Sequence, residues 1–221
     1  MYYLLLMGVF LPLLVVRSHF KLEAGAACPP KQKLFVRTLY MEAFFLAFAL
    51  AAAWQERIWI FPKQMPELRH LGFGGLVLVL LVGAMLPHWK HRVTHERERA
   101  LRSRPEKPAE LKLWFFVSLA AGTVEEVAYR GVMFTLLARV LPGWWIPVLL
   151  CALAFGLGHF THGWKHALII FVLAIVLHAL VRLTGTLYIA MGVHFLYDMI
   201  GGIAYCYLAQ RTAPSSVPQT A

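Results

Sequence analysis

The chain has 221 residues, of which 60% are apolar and only 14% are charged. Soluble domains are about half apolar and about 25% charged, so this composition excludes an ordinary soluble enzyme and a disordered chain. The formal net charge is +10. Because Lys and Arg collect in the short cytoplasmic loops of membrane proteins, the basic excess does not indicate nucleic-acid binding. We therefore predict an all-α, polytopic transmembrane helical bundle with no nucleic-acid partner.

Apolar segments follow one another along the chain and are separated by polar or turn-forming residues. We predict about seven spans that enclose a polar cavity, the first of them marginal in length. The spans cover residues 2–16, 35–54, 71–87, 111–139, 144–160, 165–183 and 186–209. The breaks between the last four spans are predicted at Pro142-Gly143, His162-Gly163 and Thr184-Gly185.

The stretch 88–110 is the most polar part of the chain, with seven Lys or Arg and four Glu. Charge this dense cannot enter the bilayer, so we predict a surface loop or an amphipathic cytoplasmic helix that touches lipid headgroups. A second basic segment, 17–33, is predicted to be a loop on the same side of the membrane. The distribution of Lys and Arg then places the N-terminus outside and the stretch 88–110 in the cytoplasm.

Carboxylates inside predicted spans are informative because each costs about 2.5 kcal/mol or more at the helix centre and persists only if it is paired or functional. Four of the eleven acidic residues lie inside predicted spans, namely Glu42, Glu125, Glu126 and Asp198. Glu42 lies near the end of its span, within reach of Arg37 on the same helix. We therefore predict a structural role for Glu42.

The two adjacent glutamates are predicted to differ in their partners. Glu126 lies four residues before Arg130, which puts the two side chains on one helix face and allows them to pair. Glu125 is about 100° further around the helix and lacks that partner. A free carboxylate in a low-dielectric place is suited to act as a general base. The alternative is a buried salt-bridge cluster that only fixes helix packing.

Histidines in two later spans add to this set. His159 follows Phe155 by four residues at a span end, and His194 precedes Asp198 by four residues in the last span. In the second pair the carboxylate can hold the imidazole in one tautomer, or both side chains can bind a metal. Acids and imidazoles from three spans can activate water or relay protons. By contrast, His162 and His166 have metal-binding spacing but are predicted to lie in a solvated loop.

These residues form three motifs in order, each on a separate apolar helix. The motifs are Glu125-Glu126-Val-Ala-Tyr-Arg130, Phe155-Gly-Leu-Gly-His159 and His194-Phe-Leu-Tyr-Asp198. On these motifs the chain resembles the CAAX-processing and bacteriocin-processing (Abi) family of intramembrane proteases, which is related to the Ras-converting CAAX endopeptidases. The resemblance covers about residues 110–209.

The resemblance implies a role for each motif residue. Glu125 and His159 would activate water, and His194 with Asp198 would stabilise the oxyanion. Glu126, Arg130 and Phe155 would support the site. Family members commonly have Asn where this chain has Asp198. Because an ionised Asp cannot donate a hydrogen bond to an oxyanion, Asp198 must be protonated, orient His194 or bind a metal.

The resemblance leaves the use of a metal open, because such proteins have been viewed both as glutamate proteases and as metalloproteases. We favour a glutamate-type mechanism without a cofactor. The alternative is a zinc ion held by three ligands drawn from Glu125, His159, His194 and Asp198, with the fourth position left for water.

We predict an intramembrane endopeptidase that hydrolyses a peptide bond in membrane-anchored, lipidated or precursor proteins of the bacterial inner membrane. Two alternatives are a proton-coupled transporter that uses the same acid and histidine relay, and a non-catalytic immunity or interaction protein on the same scaffold. We divide the chain into N-terminal spans with a basic cytoplasmic loop (1–109), a protease-like membrane domain (110–209) and a disordered tail (210–221).

Overall fold

The computed structural model describes residues 2–24, 27, 29–61 and 65–212. These ranges are almost entirely helical and contain no strand, so the predicted all-α class is confirmed. The predicted disordered tail lies mostly outside the described residues. At its start, the last helix extends to Arg211.

The described helices follow the apolar segments of the sequence. In chain order they are α1 (Tyr2–Glu23), α2 (Lys31–Gln55), α3 (Leu68–His95), α4 (Arg97–Leu101), α5 (111–140), α6 (Trp145–Gly158), α7 (Trp164–Thr184) and α8 (Leu187–Arg211). Helix α5 is continuous but changes its winding. Its ends, Leu111–Glu125 and Phe134–Val140, are α-helical, whereas Glu126–Met133 is wound as a π-helix. Single 3₁₀ turns at Pro108–Glu110 and Phe160–His162 precede α5 and α7.

Five helices in the described part of the chain are long and apolar enough to cross a membrane: α1, α2, α3, α7 and α8. The continuous α5 and the shorter, apolar α6 would bring the total to seven, which stays a prediction. Large apolar side chains are exposed on the outer faces, for example Leu76, Val79 and Leu80 of α3. Exposed apolar surface on this scale marks a lipid interface, and the chain is an integral membrane protein.

The three predicted breaks occur at glycines with left-handed backbone. Gly143 has φ 72°, Gly163 φ 95° and Gly185 φ 67°. A Cβ strains this conformation, so glycine suits the turn at each break, and Gly185 is also the C-cap of α7. Across these turns, each of α5, α6 and α7 contacts the next helix along the chain.

The predicted loop 17–33 is partly helical, and the stretch 88–110 takes the helical of its two predicted forms over much of its length. Helix α1 extends to Glu23 and therefore includes the first part of the predicted loop 17–33. Helix α3 continues through the polar stretch 88–110 as far as His95, and α4 follows directly. The reason is an apolar stripe within the charged stretch: Trp89, Val93, Ala100 and Leu101 are buried against α8. The charged side chains occupy the remaining faces, as in any amphipathic helix.

Helix α8 packs along both α5 and α3 and forms the centre of the bundle. The backbones of α8 and α5 approach closely at Gly122, where a Cβ would lie 2.6 Å from the backbone nitrogen and 2.9 Å from the Cα of Phe195. Backbone atoms cannot move aside without shifting a helix. The close contact between these two helices therefore depends on the absence of a side chain at position 122.

We expect Gly122→Ala to lower the free energy of unfolding by about 1–3 kcal/mol, the usual effect of overpacking a tight interface. Thermal unfolding in detergent micelles measures this change. Gly83→Ala is the matched control, because nothing lies within 4 Å of a Cβ at this exposed position of α3. Equal melting temperatures for the two variants would contradict the proposed tight contact between α5 and α8.

The predicted orientation can be tested with two exposed residues, Glu98 in α4 and Trp59 in the segment after α2. We expect a membrane-impermeant thiol reagent to label Trp59→Cys on intact cells. It should label Glu98→Cys only after the membrane is opened. The parent protein measures the background from the native cysteines. Labelling of Glu98→Cys on intact cells would reverse the orientation inferred from the Lys and Arg distribution.

Candidate active site

A buried ion pair lies at the start of the π-helical part of α5. Glu126 Oε1 is 3.2 Å from Arg130 Nη1, and neither side chain is exposed to solvent. The predicted pairing of these residues is therefore present. The π-helical winding around them, Glu126–Met133, was not predicted. Short π-helical turns inside α-helices occur frequently at functional sites because they change the direction in which side chains point.

The same carboxylate also holds a histidine of α8. His194 Nδ1 is 2.8 Å from Glu126 Oε1. Because an ionised carboxylate only accepts hydrogen bonds, Nδ1 carries the proton and donates it to Glu126. The other ring nitrogen, Nε2, lies 3.8 Å from Asp198 Oδ2, which is beyond hydrogen-bonding distance. His194 is thus oriented by Glu126 of α5 and not by Asp198 of its own helix.

Glu125 is the carboxylate that remains free, as its position on the helix predicted. Its Oε2 atom is buried and has no hydrogen-bond partner among the described residues. This atom lies 3.7 Å from His194 Nε2. Arg130 forms its ion pair with Glu126 and not with Glu125. The two adjacent glutamates therefore differ in the way required for one to support the site and the other to act as a base.

His159 enters the site from the end of α6. Its Nδ1 atom is 2.9 Å from the carbonyl oxygen of Phe155, and since a carbonyl only accepts, Nδ1 carries the proton. The lone pair of Nε2 is then available to a water molecule. The Phe155 ring is buried between the polar groups, 4.7 Å from the His159 ring and 4.6 Å from Arg130 Cζ. Phe155 thereby separates His159 from the buried charge of Arg130.

Two cavities meet at Glu125, His159 and Phe155. A polar cavity of about 160 Å³ also contains Arg104, His194 and Asp198 in its wall. An apolar cavity of about 130 Å³ extends in the other direction, toward α1 and α2, where Met7, Leu11, Met41 and Phe45 are among its lining residues. The four predicted catalytic side chains, Glu125, His159, His194 and Asp198, therefore line one polar space.

Glu42 also belongs to this space, and its predicted pairing with Arg37 is wrong. The Glu42 side chain is buried, its Oε2 has no hydrogen-bond partner among the described residues, and it lines both cavities with Glu125. Arg37 is exposed. Residues five apart lie about 140° apart around an α-helix, so they cannot pair easily. The sequence did contain a signal against this pairing, because no basic residue lies three or four positions from Glu42.

The charged stretch 88–110 contributes a further side chain that was assigned to the surface. Arg104 lines the polar cavity. Its Nη1 atom lies 4.0 Å from Asp198 Oδ1, and its Cζ lies 5.1 Å from the centre of the Trp114 ring. The sequence contains no local signal for this position, because the segment after α4 reaches the site only by folding back over α5 and α8.

The predicted solvated loop at His162 and His166 is also wrong. His166 is buried, and neither of its ring nitrogens has a hydrogen-bond partner among the described residues. Its neighbours are the rings of His88 and His162. His162 Nε2 lies 3.2 Å from Ser103 Oγ. These side chains are shielded from solvent because the segment around Ser103 covers the turn between α6 and α7.

A metal site is not evident from the side-chain positions alone. Within the described ranges, no group of three or more His, Cys, Asp or Glu side chains is placed to hold a metal ion. The four zinc ligands considered above line one cavity, but Glu126 engages one nitrogen of His194 and a backbone carbonyl engages one nitrogen of His159. The metal-free mechanism therefore stays a prediction, with zinc as its alternative.

Comparison with known proteins identifies the segment that carries the three motifs. Residues 107–200 match the family model described as "Type II CAAX prenyl endopeptidase Rce1-like". The resemblance to the CAAX-processing proteases is confirmed. At family level the match supports a CAAX-type intramembrane protease. Searches of the curated proteins and of the solved structures found no significant match. Glu42 and Arg104 lie outside the matched segment.

Proposed function

We propose that the protein is an intramembrane endopeptidase that cleaves a membrane-anchored or prenylated substrate by a Glu125-activated water molecule. The observation that carries this proposal is the free, buried carboxylate of Glu125 beside His159 and His194 in one cavity. A purely structural cluster would hydrogen-bond both glutamates, whereas among the described residues Glu126 pairs with Arg130 and His194 and Glu125 Oε2 has only the longer 3.7 Å contact with His194 Nε2. The Rce1-like match over the same residues supports the reaction class.

Water activation requires one proton acceptor and a second group that orients the molecule. In the proposed mechanism, Glu125 accepts a proton from water while His159 Nε2 accepts a hydrogen bond from the other O–H. The hydroxide attacks the peptide carbonyl carbon, and the protonated Glu125 then donates its proton to the leaving amine. No side chain forms a covalent bond to the substrate.

The tetrahedral intermediate needs a donor for its oxyanion. We assign this role to His194, and the support is that Glu126 holds its Nδ1–H while Nε2 faces Glu125 and Asp198. A proton on Nε2 can be donated to the oxyanion. An ionised Asp198 cannot donate a hydrogen bond to the oxyanion. In this mechanism its negative charge acts on the imidazole of His194 and on Arg104, which lie 3.8 Å and 4.0 Å from its carboxylate oxygens.

The apolar side of the site supports a lipid-anchored substrate. The apolar cavity next to Glu125 shares Leu11, Met41 and Phe45 with a wider groove of about 360 Å³ between α1 and α2. An apolar chain in this groove would direct the adjacent peptide toward Glu125 and His159. Our proposal includes a location in the bacterial inner membrane, and processing of secreted precursors is its second substrate class.

Cleavage of a defined substrate tests the function. Purified protein in detergent is incubated with a farnesylated peptide ending in Cys-Ala-Val-Ser and with the same peptide lacking the farnesyl group. We expect mass spectrometry to show one cut near the C-terminus, faster for the farnesylated form. Absence of any cleavage, together with proton flux into proteoliposomes, would establish the transporter alternative.

The metal prediction has its own measurement. We expect elemental analysis of active protein to find less than stoichiometric zinc, and a chelator series to leave the rate unchanged. The reason is that a desolvated carboxylate and a histidine suffice to deprotonate water. One equivalent of tightly held zinc, with activity lost on its removal and restored by zinc alone, would contradict the metal-free mechanism.

A further inference from the structure

One end of the polar cavity has a basic wall that the proposed water activation does not use. Ser103 and Arg104, from the segment after α4, line it together with His162 from the turn before α7. The Arg104 guanidinium lies against two aromatic rings, with Cζ 5.1 Å from the centre of Trp114 and 5.9 Å from that of Tyr205. Cation–π contacts of this kind hold a guanidinium in place while its N–H groups remain free to bind.

Two further arginines lie near His162 behind this wall, although they do not line the cavity. Arg102 Nη1 and Arg92 Nη2 are buried without a hydrogen-bond partner among the described residues, although Arg92 Nε lies 3.5 Å from Glu96. Burial and the neighbouring Arg104 and Arg92 hold the pKa of His162 well below its usual value. His162 is therefore a neutral ring that hydrogen-bonds without adding charge.

Arg104 has one ion-pair partner within the described part of the chain, and this partner leaves the N–H donors of Arg104 available. Among the described residues, the ion pair of Arg104 is with Asp198, and the 4.0 Å between Nη1 and Oδ1 exceeds a hydrogen bond. The Arg104 side chain is 17% exposed and lines the polar cavity. An anion entering the cavity would meet an arginine, a hydroxyl and a neutral imidazole within the same wall.

We propose that Arg104, assisted by Ser103 and His162, binds the free C-terminal carboxylate of the substrate. The inference rests on the proposed function and names the end of the chain that the site recognises. Arginine binds carboxylates through two parallel hydrogen bonds. In a prenylated C-a-a-X protein, three residues follow the modified cysteine. Extended, they span about 10 Å, so a carboxylate at Arg104 places a nearby peptide bond in the same cavity as Glu125.

The test compares two substrates that differ only in this carboxylate. The farnesylated peptide ending in Cys-Ala-Val-Ser is prepared as the free acid and as the C-terminal amide. For the unmodified protein we expect kcat/KM to be at least about tenfold higher for the acid, the size of one charged hydrogen bond. In Arg104→Gln the ratio should fall to about one, because only the acid loses a contact. Arg104→Lys should keep part of the preference.

Arg97→Gln is the matched control. Arg97 lies in the same polar stretch but pairs with Glu106 on the outside of the segment, so this variant should keep the preference for the acid even if the segment shifts slightly. Equal effects of Arg104→Gln on both peptides would show that Arg104 only supports the structure or the oxyanion, and would overturn the inference.

The remaining outcomes separate this inference from the proposed function. If the unmodified protein cleaves acid and amide equally, carboxylate recognition is overturned and the protease function stands. If it cleaves neither the acid nor the amide, with or without the farnesyl group, the proposed function itself is overturned. If Arg104→Gln fails to fold, the acid-to-amide ratios of the unmodified protein and of Arg104→Lys decide, since a folded protein without preference refutes the inference.

Discussion

Glu125→Gln is expected to reduce peptide cleavage by about 10²–10⁴-fold, the range that general-base catalysis contributes. The amide keeps the shape of the side chain but cannot take a proton from water. Folding should be unaffected, because Glu125 Oε2 has no hydrogen-bond partner to lose among the described residues. The measurements are kcat on the farnesylated peptide and the melting temperature in the same detergent.

Glu98→Gln is the matched control for this variant. It makes the same chemical change at an exposed position of α4 and should leave both rate and melting temperature as they are. Full turnover by Glu125→Gln would exclude Glu125 as the base. If Glu126→Gln were then inactive but fully stable, the roles of the two glutamates would be exchanged.

Glu126→Gln is expected to have the largest effect on stability, a loss of about 3–5 kcal/mol, because it leaves the charge of Arg130 buried without its partner. Glu126 Oε1 forms an ion pair with Arg130 and accepts a hydrogen bond from His194, and the Glu126 and Arg130 side chains are fully buried. Activity should fall as well, since His194 loses the carboxylate that orients it. Thermal unfolding and peptide cleavage are measured on the same preparations.

A double variant separates these two effects. Arg130→Met removes the stranded charge, so Glu126→Gln with Arg130→Met should recover much of the stability lost by the single variant. It should not recover activity, because His194 still lacks its carboxylate. A double variant that regained both would show that Glu126 acts only as the partner of Arg130.

Local spacing was sufficient for the parts of the site that lie on one helix. The pairing of Glu126 with Arg130 and the separate direction of Glu125 follow from the angle between successive residues of a helix, and both are present. The breaks at Gly143, Gly163 and Gly185 were equally predictable, because each requires a left-handed backbone that only glycine adopts without strain. These features depend on neighbours within a few residues.

Contacts between different helices could not be predicted from local spacing. His194 has a carboxylate four residues away in Asp198, yet it is oriented by Glu126 from another helix. Glu42 and Arg104 looked like a helix-end glutamate and a surface arginine, but both line the cavity. Which side chains meet across a bundle depends on how far each helix is rotated and shifted against its neighbours.

That rotation and shift are decided by distant packing. The close contact of Gly122 with Phe195 sets how α5 and α8 approach each other, and the π-helical winding of Glu126–Met133 changes the direction of the following side chains. The motifs therefore predict the reaction class and the helices that carry it. The partner of each predicted catalytic group depends on packing energies summed over the whole bundle, and the local spacing of residues in the chain does not determine that sum.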